Sequence, residues 1–117
     1  MRIFLTVLLL LIGVTARPAT TQPNLVVIDC RPDEVASLSS RIHVHCTTGR
    51  NGVVYFALGV QRSAAEKEFA HRAMSLASGA LVSGRSLSIR FDPNDQSGGA
   101  IGCLVTDCRL IHTIYLR

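Results

Sequence analysis

Cys30, Cys46, Cys103 and Cys108 are the chain's strongest chemical signal. Paired thiols can close disulfides, hold a metal or run redox exchange. Neither pair has the two-residue spacing of a thioredoxin-like centre or a zinc knuckle. An even count favours disulfides, and four cysteines permit three connectivities. His43 and His45 would share one face of a strand, a spacing that can bind a metal, but Cys46 would point the other way. They read as structural or surface histidines. Asp92, Asn94 and Gln96 echo a calcium loop, yet Cys103 stands where its closing Glu belongs, so this segment reads as a loop of turn residues. No strained nucleophile motif frames the serines, and oxidised cysteines leave no thiol nucleophile. Ser97-Gly98-Gly99 precedes an expected strand rather than a helix, so no phosphate-cradling loop is recognised. No catalytic residue, metal or cofactor is expected, and the chain is not read as an enzyme.

The N-terminus gives these cysteines a context. Arg2 supplies a positive start, residues 3–12 are apolar apart from Thr6, and Val14-Thr15-Ala16 offers small residues at a cleavage site. Residues 1–16 therefore match a signal peptide, and the run is too short for an ordinary membrane-spanning helix. Export, periplasmic or extracellular, makes disulfides the expected state. The net charge of +4 is modest, with acids interspersed, so a nucleic-acid partner is not expected. Arginines supply nearly all the positive charge and could serve anionic ligands, because guanidinium pairs bidentately with carboxylates.

The expected order is three strands, one helix and three strands. Residues 17–24 read as an extended lead-in and 25–117 as one domain. A short β-rich run at 25–29 ends at Cys30, and 31–40 reads as a loop. Residues 41–46 alternate, with Ile42, Val44 and Cys46 on one side. Turn residues at 47–52 return the chain into 53–58, a hairpin. Ser63-Ala64-Ala65-Glu66 is a capping box. The helix after it carries Phe69, Ala73, Leu76, Ala80 and Leu81 at helical spacing, with Gly84 as its stop. Residues 74–82 have no charge, which points to a second buried contact on the small-residue face around Ser78, against either the barrel or a neighbouring subunit. Strands are expected at 86–91, 100–105 and 109–116. A mainly β, mostly antiparallel barrel with one helix, OB-like, is the closest architecture. Cysteines at strand ends in an exported chain predict bridges Cys30–Cys46 and Cys103–Cys108.

These pieces resemble something known. Cys30…Cys46, the helix from Ser63, the segment Ser83-Gly84-Arg85-Ser86-Leu87-Ser88-Ile89-Arg90, and Gly102-Cys103-Leu104-Val105-Thr106-Asp107-Cys108 together resemble the binding (B) subunits of the subtilase-cytotoxin and typhoid-toxin group, small OB-fold proteins secreted by bacteria. The likeness lies in spacing and order over most of the chain after residue 16. It implies a homo-oligomeric ring with helices near its centre, a cell-surface glycan receptor and a catalytic toxin-like subunit as partner. This chain departs from the group in having no Trp and a proline-broken lead-in, so no sugar-binding residue carries over by matching. Tyr55, Phe56 and Tyr115 are the aromatic candidates, with core packing as the competing role. The alternative reading is a monomeric periplasmic accessory or structural protein without ligand chemistry. No membrane insertion is expected on either reading.

Overall fold

Alternation of apolar and polar residues sets most of the strands, and two breaks in that alternation set their arrangement. The computed structural model describes Gly13 and residues 24–117. The expected signal at 1–16 and lead-in at 17–24 lie outside the described residues, Gly13 and Asn24 aside. The elements are β1 (Val26–Cys30), β2 (Pro32–Ser37), β3 (Arg41–Arg50), β4 (Val53–Gly59), α1 (Ala64–Ser83), β5 (Leu87–Phe91), a 3-10 turn (Ser97–Ile101), β6 (Cys108–Leu110) and β7 (Thr113–Leu116).

The chain is mainly β with one helix, but its ladders form two sheets instead of the expected closed barrel. One sheet has the order β1-β5-β7 and the other β2-β3-β4-β6. All pairings are antiparallel except β4 with β6. The physical reason is that two stretches of chain change sheets. β1 gives way to β2 across Arg31, whose carbonyl accepts from the Thr47 amide at 3.0 Å. β6 gives way to β7 across Ile111 and His112. The Ile111 amide donates to Ala57 in one sheet and the His112 amide to Arg90 in the other, both at 2.9 Å. The Arg31 carbonyl and the Ile111 and His112 amides thus stay paired where the chain changes sheet.

Three further expectations are corrected. Residues 31–40 are not a loop, because β2 occupies Pro32–Ser37 and brings the strands before the helix to four. β2 lies at the edge of its sheet, where exposed polar residues and a leading proline are tolerated. Residues 100–105 are not a strand. The Cys103–Cys108 bridge folds this segment back, and the Cys108 amide donates to Leu104 at 2.8 Å. The terminal strand at 109–116 is interrupted at 111–112 by the sheet crossing described above.

The hairpin at 41–58 forms as β3 and β4. Its turn residues Asn51 and Gly52 have φ of 51° and 82°. Two successive left-handed residues are what a tight two-residue hairpin turn demands, and Asn-Gly is the pair best suited to it. Ile42, Val44 and Cys46 face the core, as do Leu87, Ile89 and Phe91 of β5. Phe56 and Phe91 meet edge to face, with ring centroids 4.9 Å apart.

The helix packs on this core through alanines. Ala70, Ala73, Ala77 and Ala80 form the fully buried stripe, flanked by half-buried Phe69, Met74 and Leu76. Leu81, expected inside, is 39% exposed, and Val82 is 88% exposed. Small side chains let the helix axis approach the sheets closely, so the stripe is set by size as much as by apolar character. Ser78, expected on a covered face, is half-buried. At the N-terminus the Glu66 amide donates to Ser63 Oγ at 3.1 Å. The Glu66 carboxylate accepts from the amide of Arg62 at 3.4 Å rather than from Ser63, so the capping box closes one residue early. Gly84 ends the helix, its amide donating to Ala80.

The disulfides are Cys30–Cys46 and Cys103–Cys108, each with Cα atoms 5.2 Å apart. In the chain-entropy picture the longer loop contributes about 3 kcal/mol and the shorter about 2. Replacing Cys30 and Cys46 by serine should therefore lower the urea midpoint more than replacing Cys103 and Cys108. Equal or inverted losses would show that loop entropy does not govern the ranking. Ser63→Ala should cost about 0.5–2 kcal/mol in the same measurement, because a helix donor loses its partner.

Candidate functional site

The face of β3 opposite the core carries Arg41, His43 and His45, because Ile42, Val44 and Cys46 between them point inward. On β4, Tyr55 is in register with His45. Its ring centroid lies 4.6 Å from that of His45 and 5.3 Å from that of His43. Three rings thus form one half-buried cluster on the outside of the sheet.

β2 supplies two carboxylates to the same cluster. The register shifts between Pro32 and Glu34, leaving Asp33 without a partner on β3. Such a bulge lets consecutive residues reach one side of a strand that would otherwise send them to opposite sides. His43 Nε2 meets Glu34 Oε1 at 2.6 Å, and His45 Nδ1 meets Asp33 Oδ1. Each carboxylate fixes the orientation of one imidazole, as outer carboxylates do for histidines in binding sites.

Arg41 closes the other end. Its Nη1 donates to the Ile101 carbonyl at 3.1 Å, alongside the Ser40 hydroxyl at 2.9 Å. The guanidinium passes over Gly102, which has φ of 89°, and a Cβ there would sit 2.6 Å from Arg41 Nη1. The left-handed backbone favours glycine at that point, and a larger residue would also push the Arg41 guanidinium aside. The turn held by Cys103–Cys108 makes the remaining wall. The Asp107 carbonyl accepts from the amides of Val54 and Tyr55, both at 3.0 Å. Together Arg41, His43, Tyr55, Gly102, Leu104 and Asp107 line a concavity of about 300 Å³.

This arrangement offers an aromatic ring, one imidazole and a guanidinium around one small open space, with Asp107 in its wall. It can hydrogen-bond and stack against a small polar ligand. Among the described residues, no three His, Cys, Asp or Glu side chains are grouped to hold a metal. Asp92 and Asp95 form local turns instead, accepting from the amides of Asn94 and Ser97, each at 2.9 Å.

The three aromatic candidates are separated. Tyr55 lines the concavity. Phe56 is 0% exposed in the core. Tyr115 is 47% exposed on β7, in the other sheet. Arg41 could have been found by continuing the alternation of His43 and His45 backwards. Asp33, Glu34 and Asp107 could not, since their placement follows from the bulge and the disulfide-held turn. No protein-family model matches the chain and no curated protein matches it. The site's reading therefore rests on its own chemistry.

One carboxyl outside this site is perturbed. The Ser97 hydroxyl and amide, helped by the charges of Arg109 and Arg62, hold Asp95 below the ordinary aspartate value of 3.8. A lowered folded-state pKa adds stability that is present above the unfolded value and disappears as pH falls through the folded one. Asp95 is largely solvated, so its contribution is small. Asp95→Asn should flatten the acid limb of the melting temperature against pH and leave the difference from wild type constant near neutrality. An unchanged acid limb would remove Asp95 from the acid response.

Proposed function

We propose that this chain is an exported binding module of OB-like architecture that takes a glycan on the outer face of β2, β3 and β4. The arrangement of strands supports the architecture. A strand bent at Arg31 contributes to both sheets, as does one bent at Ile111 and His112, and the helix follows β4. The parallel pairing of β4 with β6 fits a Greek-key barrel opened at its bends. Two disulfides support an oxidising compartment, and no helix among the described residues is long and apolar enough to cross a membrane.

The observation that carries the ligand class is Tyr55, held between oriented histidines beside the Arg41 concavity. A saccharide presents both C–H faces and hydroxyls, and so needs an aromatic surface with fixed polar groups around it. The purified protein on a glycan array is expected to select a limited set of glycans. Tyr55→Ala should weaken them about tenfold, or about 1.4 kcal/mol, with the fold intact by circular dichroism. An array without binding, or a Tyr55→Ala variant that binds equally, would remove the glycan reading from this face.

A second reading, a monomeric accessory protein, is favoured by the helix. Its buried alanine stripe is satisfied inside one chain, so the uncharged stretch at 74–82 does not require a neighbouring subunit. Exposed Leu81 and Val82 are what a ring would cover. Molecular mass in solution separates a ring from a monomer. Co-purification separates a subunit with a catalytic partner from one without.

A further inference from the structure

The sheet β1-β5-β7 has an outer face of a different character from the Tyr55 site. Its inward residues are Ile28, Cys30, Leu87, Ile89, Phe91 and Ile114. The register then places Val27, Arg90 and Thr113 in one outward row, and Asp29, Ser88 and Tyr115 in the next. Beyond them the Arg117 amide donates to Ser86 at 3.0 Å, and the exposed Arg31 guanidinium donates to the Gly84 carbonyl at 3.2 Å. Arg31, Arg85, Arg90 and Arg117 are all exposed. The salt bridges among the described residues involve none of them. Asp29 is the one carboxylate in these rows.

We propose that this face is a second binding surface, separate from the Tyr55 site, and that its partner is an acidic polysaccharide carrying sulfate or carboxylate groups. Four arginines that make no salt bridge among the described residues, Arg31 with one nitrogen on the Gly84 carbonyl, leave guanidinium N–H groups for contacts with such anions. Arg31, Arg85 and Arg117 lie at the end of the sheet where Cys30, Leu87 and Leu116 are in register, and Arg90 lies three residues past Leu87 on β5, about 10 Å further along, a span that suits a linear ligand with repeated charges better than one small anion. Hydroxyls of Ser86, Ser88 and Thr113 lie between them and can pair with sugar oxygens. The chemistry favours polysaccharide over single-stranded nucleic acid. Nucleic-acid grooves stack successive bases on several aromatic rings. Here Tyr115 is the one aromatic residue in these rows, and the Arg90 guanidinium already lies 5.8 Å from its centroid.

Heparin serves as the sulfated probe, with neutral dextran and single-stranded DNA as comparisons, all titrated into the purified protein at about 0.15 M salt. Heparin should bind, weaken with added salt and outcompete DNA, and dextran should not bind. Arg90→Ser should weaken heparin about threefold and Arg31→Ser with Arg90→Ser about tenfold, with melting temperature tracked to verify folding. Arg72→Ser removes the same charge from the helix, where Arg72 is paired with Glu68 at 2.8 Å, and should leave heparin affinity unchanged. Three results would overturn the proposal: wild-type affinity in Arg90→Ser, an equal loss in Arg72→Ser, or DNA binding as tightly as heparin.

Discussion

Cys30 belongs to one sheet and Cys46 to the other, and the bond between them is the constraint on which the architecture turns. Cys30 pairs with Leu87 on β5, and Cys46 pairs with Pro32 on β2. The bridge therefore fastens the two sheets at the point where the chain bends across Arg31. Both sulfur-bearing residues are fully buried in the shared core, beside Val44, Leu87 and Ile89. Losing this link would free both sides of the bend at once, because the covalent loop and the packing meet in the same place.

The consequences of that bend reach the candidate site. A strand that has just changed sheets enters β2 at Pro32 and immediately bulges at Asp33. The bulge turns both acids toward the histidines of β3, and the histidines in turn frame Tyr55. The second bridge acts from the other side. Cys103–Cys108 curls the segment that would otherwise extend, and the curl carries Gly102, Leu104 and Asp107 to the rim. The bulge thus acts on the concavity through His43, which Glu34 holds, and the disulfide-held turn supplies its opposite wall. The Arg41 guanidinium is tethered to the Ile101 carbonyl and His43 to Glu34, which reduces the ordering cost of binding.

The helix fits the same economy of space. An alanine stripe lets it lie close over both sheets, so a chain with few aromatic residues still closes its core around Phe56 and Phe91. Larger residues on that face would force the axis outward and open gaps that the small core could not refill. Leu81 and Val82 lie beyond the reach of the sheets and stay exposed.

The local elements were legible in the sequence. Alternation at 41–46 and 86–91 fixed which side chains face inward, Asn51-Gly52 specified the hairpin turn, and Ser63 with Gly84 bounded the helix. These signals are short-range: each depends on strand period, turn conformation or cap chemistry within a few residues. The outward pairing of His43 with His45 was readable for the same reason. The edge strand β2 was not, because its stability comes from pairing with β3 and its own residues are polar and led by proline. Nor was the curl at 103–108, where a covalent ring outweighs β propensity. The two sheet crossings, the convergence of Asp33 and Glu34 on the histidines, and the separation of Tyr55 from Tyr115 were decided only by tertiary structure. Each depends on which strand lies beside which, and strand partners distant in the chain are chosen by the packing of the whole core.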